Sequence, residues 1–182
     1  DALGRRRVLL WGLGLFVLAS LVCVTATSIQ MLWLGRALQG MSSGVGVIVG
    51  RAVVRDVLEG AAAQRLMSHV AMVFSIAPAI APMIGGALSE AFGGRSIFVL
   101  LVLLGGVQFF VTWRYLPETL PPAQRQSLHP SYLLKAYGSI LGSPAFVAMV
   151  LAMSLFFAAF FQYVMSAPVF LMTHLGVSER DF

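Results

Sequence analysis

Arg36 and Gln39 are the residues of this chain best placed to do chemistry, because a membrane-like setting makes them costly. Arg36 interrupts an otherwise apolar run, 31–50. It lies about five residues in, roughly 7 Å deep at 1.5 Å per residue. An arginine central in a span costs about 2.5–3.5 kcal/mol on insertion scales. Two readings stay open. The side chain snorkels to the outer surface, or it faces a polar cavity and pairs with a carboxylate or a substrate. Gln39 at i+3 shares the helix face and favours the second. Other reactive residues are scattered. His69, His129 and His174 fall in three separate places, and Cys23 is the single cysteine. That pattern lacks a disulfide framework, a Cys-based metal site and the clustering that an embedded enzyme needs. The expectation is therefore no metal, no cofactor and no enzyme.

The elements that must carry Arg36 are membrane helices. The chain is 59% hydrophobic and only 10% charged, against about 25% charged in ordinary soluble domains. Five apolar runs reach the roughly 20 residues that a helical crossing takes: about 8–28, 31–50, 67–88, 97–113 and 144–170. Lipid offers no partner for open backbone groups, so each run satisfies its own as helix. Long continuous runs also disfavour a β-barrel. The expected fold is all-α, a polytopic helical membrane protein embedded in the lipid bilayer.

The third run contains Ala77-Pro78-Ala79-Ile80-Ala81-Pro82-Met83-Ile84-Gly85-Gly86. Two prolines and two glycines stand in a stretch too apolar for a loop. Proline removes a backbone hydrogen bond, which a membrane helix tolerates because neighbours re-satisfy the freed carbonyls. Ala77, Ala81 and Gly85 recur every four residues and leave a face of nearly bare backbone, suited to close packing. Gly40, Ser43, Gly44, Gly46 and Gly50 thin the second span in the same way.

Charge sets the orientation. Arg5, Arg6, Arg7, Arg51, Arg55, Arg65, Arg114, Arg125 and Lys135 make up nine of the 12 basic residues and fall on one side; Arg95 and Arg180 fall on the other. The positive-inside rule puts the N-terminus and the 114–143 connector in the cytoplasm. Residues 178–182 are then outside. The net charge of +5 punctuates apolar runs rather than forming a basic face, so nucleic acid is not an expected partner. Residues 117–143 form a connector whose first part holds Pro117, Pro121, Pro122 and Pro130 among polar residues, predicting an extended, solvated linker. It divides four spans in 1–116 from one in 144–182, as parts of two bundles. In the last span Phe156, Phe157, Phe160 and Phe161 surround Gln162 and Tyr163, a candidate wall for greasy ligands. Lipid exposure or ordinary packing is the better account of most of these phenylalanines.

Arg36-x-x-Gln39-Gly40 resembles the R-x-x-Q-G signature of major facilitator drug antiporters. The stretch Ala81-Pro82-Met83-Ile84-Gly85-Gly86 is similar to their fifth-span antiporter motif, and Asp1-x-x-Gly4-Arg5-Arg6 resembles the end of their loop motif between spans two and three. Tyr115-Leu116-Pro117-Glu118-Thr119-Leu120, Ser166-Ala167-Pro168 and Gly176-Val177-Ser178 resemble the Bcr/CflA-type (bicyclomycin/chloramphenicol resistance) group. Gly94 departs from the family, where a tryptophan often precedes the arginine equivalent to Arg95.

The resemblance implies spans three to seven of a twelve-span, two-bundle transporter, monomeric at full length, in the inner membrane. It implies export of small drug-like molecules in exchange for protons. Asp1 would pair with basic charge near the inner end of the second visible span, with Arg51 and Arg55 as candidates and Asp56 and Glu59 competing for the same cations. Pro78 and Pro82 would bend the third span, while Gly85 and Gly86 admit a facing helix that seals the pore. No Asp or Glu lies inside any of the five runs, so the coupling carboxylate is expected outside this segment. A carrier for a sugar or metabolite and a structural subunit of a membrane complex are the alternatives.

Overall fold

The computed structural model describes residues 3–125 and 130–174. Their regular structure is helical: α1 Arg5–Thr25, α2 Ile29–Val57, α3 Gly60–Phe92, α4 Ser96–Tyr115, a 3-10 turn Pro122–Gln124, α5 Pro130–Leu141 and α6 Pro144–His174. Five of these helices are long and apolar enough to cross a bilayer. The chain is a polytopic helical membrane protein. It forms two compact units, α1–α4 up to residue 126 and α5–α6 from 127.

The helices outrun the apolar stretches that announce them. α2 continues past Gly50 through Arg51 and Arg55 to Val57, and α3 starts at Gly60, well before Met67. Charged residues end the lipid-facing part of a helix, not the helix itself, because water accepts a polar helical face. The expected extended linker is corrected over its second part, where α5 occupies Pro130–Leu141. Pro130 opens that helix at a position whose N–H has no intrahelical partner anyway.

α1 is the hub of the first unit and packs along both α2 and α4. The contacts are close because glycine stands at three crossing points. A Cβ on Gly35 would lie 2.5 Å from the Cys23 sulfur and 3.3 Å from the Ala19 carbonyl oxygen. One on Gly12 would lie 2.9 Å from Val45, and one on Gly105 would lie 3.0 Å from Phe16 and Val17. The glycines singled out in the sequence are not the ones that pack. Gly40, Gly44, Gly46 and Gly50 have open space at the Cβ position among the described residues. A helix nearly uniform in hydropathy does not reveal which side meets a neighbour.

α3 runs unbroken through Pro78 and Pro82. Each proline withholds an N–H from the carbonyl four residues back, those of Phe74 and Pro78. α3 touches α2 and α4 only lightly, and none of its residues is buried. Gly85 has Ile97 at 3.9 Å from a built Cβ and Gly86 has nothing within 4 Å, so the expected close neighbour is not among the described residues. Large apolar side chains such as Trp11, 77% exposed, point outward along these helices, where lipid receives them without a hydrophobic penalty.

Two arginines tie α1 to α4. Arg6, in the first turn of α1, donates from Nη2 to the Trp113 carbonyl oxygen near the end of α4 (2.5 Å). Arg95, the residue before α4, donates from Nη2 to the Ala26 carbonyl oxygen just after α1 (2.8 Å). Each guanidinium meets the carbonyl end of the opposite helix, the negative pole of its dipole.

Candidate functional site

Three polar features stand out in the first unit. The first gathers where α1 begins and α2 and α4 end. Gly4 has φ +88° and is buried. A side chain would be strained there, and its Cβ would collide with the Glu118 carboxylate. The glycine of the loop motif thus has two physical reasons. Glu118 Oε1 accepts from the Arg5 backbone N–H (2.7 Å) and from that of Leu120 (3.2 Å), capping α1 with a carboxylate from beyond α4. The Arg5 side chain crosses to α2, where Nε donates to Asp56 Oδ2 at 3.1 Å. The same oxygen accepts from the Thr119 hydroxyl (3.2 Å). Those two side chains are 16% and 23% exposed, so the pair is partly desolvated and worth more than an open surface bridge.

A different pair stands among the described residues. The sequence pointed to an anion before α1 pairing with cations on α2. The pair found has its cation, Arg5, on α1 and its anion, Asp56, on α2. Asp1 itself lies outside the described residues, as do residues 176–178. Arg55 stands in the last turn of α2. In the sequence, Glu118 and Thr119 stand out only as marks of resemblance. Glu118 reaches back 113 residues and Thr119 63, separations that leave no local signal.

The second feature is a buried polar seam between α1 and α2. The i+3 spacing does bring Arg36 and Gln39 together: Arg36 Nη1 donates to Gln39 Oε1 at 3.1 Å. They differ in setting. Arg36 is exposed, whereas Gln39 is 3% exposed and turned toward α1. There its Nε2 donates to the Ser20 hydroxyl (2.6 Å), while the Cys23 thiol lies 3.9 Å from its Oε1. Ser42, also buried, donates to the Gln39 carbonyl oxygen (3.0 Å). Ser20 and Cys23 were missed, although two polar-capable residues at i, i+3 inside a charge-free run were a usable sign.

The third feature is a groove of about 560 Å³ lined by all four helices, with Leu13, Phe16, Val54 and Phe74 among its apolar walls. Ser43, Arg51, Gln108 and Thr112 supply polar groups. Arg51, a candidate partner for Asp1 by resemblance, also lines this space.

The remaining sequence candidates stand elsewhere. Ala77, Pro78, Ala81, Pro82, Gly85 and Gly86 lie on the unburied α3. Gln162 and Tyr163 belong to α6 in the second unit and are both exposed. Gln162 is occupied locally: its carbonyl oxygen accepts from the Ser166 hydroxyl (2.6 Å), and its Nε2 reaches Ser166 Oγ at 3.4 Å. Phe156, Phe157, Phe160 and Phe161 contact one another edge-on or stacked along the helix.

Comparison with known sequences places this geometry in context. The family described as Major Facilitator Superfamily matches residues 1–181. The chain is 33% identical over 184 residues to an uncharacterized MFS-type transporter, YdgK, of Bacillus subtilis, covering all of this chain and 46% of that protein. It is 38% identical over 162 residues to multidrug resistance protein D of Escherichia coli, covering 81% of this chain and 41% of that one. It is 29% identical over 182 residues to the multidrug transporter MdfA of Yersinia pestis, covering all of this chain and 44% of that one. The chain spans less than half the length of these relatives.

Proposed function

Because the chain belongs to the major facilitator superfamily, we propose that it forms the gate and scaffold of a proton-coupled exporter of small amphipathic drugs, of the Bcr/CflA type. The exporter works by alternating access in the inner membrane, as a monomer, with the ends of α2 and α4 in the cytoplasm. It carries solutes and catalyses no covalent reaction. Relatives named for multidrug resistance and multidrug transport support the cargo class.

The observation that carries the reading is the cluster of Arg5, Asp56, Thr119 and Glu118. An alternating-access carrier needs contacts at one face that close there and release when the other face closes. Partly exposed, charge-assisted bonds between separate connections suit this, since they are strong enough to bias a state and accessible enough to water to break. Arg36, held by Gln39, presents a fixed positive charge at membrane depth. Such a charge steers an anionic partner or the proton-binding carboxylate. In this reading that carboxylate lies outside the spans of this chain. α3 forms the seal, offering its small-residue face to an opposing helix. Gln162 and Tyr163 contribute to the ligand wall from α6.

Everted membrane vesicles carrying the natural full-length protein test this reading. With ethidium as the probe, accumulation should follow an imposed proton gradient and collapse when an uncoupler dissipates it. Ethidium movement indifferent to the gradient would remove antiport. Gradient-driven uptake of a sugar in its place would reassign the cargo.

A further inference from the structure

We infer that Ser20 is a positioning residue for transport, acting on Arg36 through Gln39. The inference rests on the proposed role of Arg36 in the transport route. Its basis is the direction of each hydrogen bond in the α1–α2 seam. Ser20 is fully buried and Gln39 nearly so. The Ser20 hydroxyl has one hydrogen, which it donates to the Phe16 carbonyl oxygen one turn back (2.7 Å). Only its lone pairs remain, so it can receive Gln39 Nε2–H but give nothing in return. On the other side, a guanidinium has donors and no acceptor, so Arg36 demands the amide oxygen. Both neighbours therefore impose the same orientation on Gln39. The amide becomes a bracket fixed to α1 that holds a cation on the exposed side of α2.

Removing the hydroxyl strands the Gln39 amide N–H in a buried seam. A buried donor left unmade is costly, and the side chain can relieve the loss only by rotating. Rotation takes Oε1 away from Arg36. Cys23 cannot hold it, because a thiol at 3.9 Å is a weak and distant donor. The seam's other hydroxyls are engaged: Ser42 bonds the main-chain carbonyl of Gln39, and Thr25 bonds the carbonyls of its own helix. The consequence falls on the guanidinium's position, and so on substrate affinity more than on assembly of the helices.

Ser20→Thr and Ser20→Val provide the test, since they share a shape and differ in the hydroxyl, so crowding by the added methyls is common to both. In everted vesicles bearing the full-length protein, with ethidium as probe, Ser20→Thr should keep the wild-type apparent KM within about twofold. Ser20→Val should raise it about tenfold at equal membrane abundance, a change equivalent to about 1.4 kcal/mol. In an Arg36→Lys background the difference between Thr and Val should shrink below about twofold, because the planar fork that Gln39 holds is gone. Equal KM for the two variants, with Arg36→Ala inactive, would reduce Ser20 to packing while leaving the antiporter reading intact. Wild-type efflux by Arg36→Ala would overturn the role of Arg36 and, with it, that of Ser20. Should Ser20→Thr and Ser20→Val both fail to insert, Ser20→Ala against wild type reads the lost hydroxyl without added bulk. An unchanged KM in Ser20→Ala refutes the inference.

Discussion

Gly35→Ala should loosen the α1–α2 seam, and the size of the effect follows from two distances. The new methyl would sit 2.5 Å from the Cys23 sulfur and 3.3 Å from the Ala19 carbonyl oxygen. Both are well inside ordinary carbon contact at about 3.5–4.0 Å. Cys23 is 1% exposed, so its sulfur has no free space to swing into. Overpacking of this kind costs about 1–3 kcal/mol. Alanine recovers up to about 1 kcal/mol through helix propensity, leaving a net loss of about 0–2 kcal/mol. The cleaner quantity is a coupling. In a Cys23→Ala background the sulfur is gone and the nearest remaining atom is the Ala19 oxygen at 3.3 Å. Gly35→Ala should then be neutral or mildly stabilising, giving a coupling of about 1–3 kcal/mol. Thermal unfolding of the four proteins in detergent reads it. Ethidium efflux should follow the same order, because a displaced Cys23 presses on Gln39 one turn along from Gly35. If the two substitutions are additive within about 0.5 kcal/mol, the helices do not approach as described and the seam argument fails with them.

Three further outcomes are expected. Asp56→Asn keeps an acceptor for Thr119 but removes the charge that holds Arg5. It should cost about 1 kcal/mol in closure at this face, seen as a severalfold rise in labelling of a cysteine placed at Glu59, and unchanged labelling counts against the gate. Gly85→Leu and Pro82→Leu should each reach the membrane yet lose ethidium efflux, at least one also leaking protons in a dye-quenching assay without drug. Intact gradients and normal efflux in both would make the α3 motif simple packing. Gln126→Cys should react with an impermeant thiol reagent from the cytoplasmic side alone, and reaction from outside intact cells reverses the topology.

Much of the fold was legible because lipid enforces it. Long apolar runs had to become helices, and their number and order stand. Their ends were not legible: hydropathy marks where lipid stops, while Arg51, Arg55 and Asp56 extend α2 into water with no change of backbone. Rotation about each helix axis was hidden for a related reason. When every face is apolar, composition does not say which one meets protein, so Gly46 and Gly50 were expected at a contact that Gly12, Gly35 and Gly105 make instead. Arg36 with Gln39 was legible because i+3 spacing is local. Glu118 was not, since its partner is the amide of Arg5 and tertiary structure alone brings them together. Pro130 misled because a proline that disrupts a helix from within is a good way to begin one.

The paired ties between α1 and α4 bear on how this sequence can change. α1 has 21 residues and α4 has 20, each about 30 Å long at 1.5 Å per residue. Arg6 and Arg95 fasten them at opposite ends. Adding one residue to either helix displaces its far end by about 1.5 Å and turns it by about 100°, which carries one guanidinium away from its carbonyl. Insertions and deletions should therefore be rejected in these two helices unless matched in both. The 58–59 connection carries no such tie and is where related chains should differ in length, whereas Glu118 and Thr119 bind the 116–121 connection to Arg5 and Asp56. A library of single-residue insertions, selected for growth on a toxic substrate, would map this tolerance position by position.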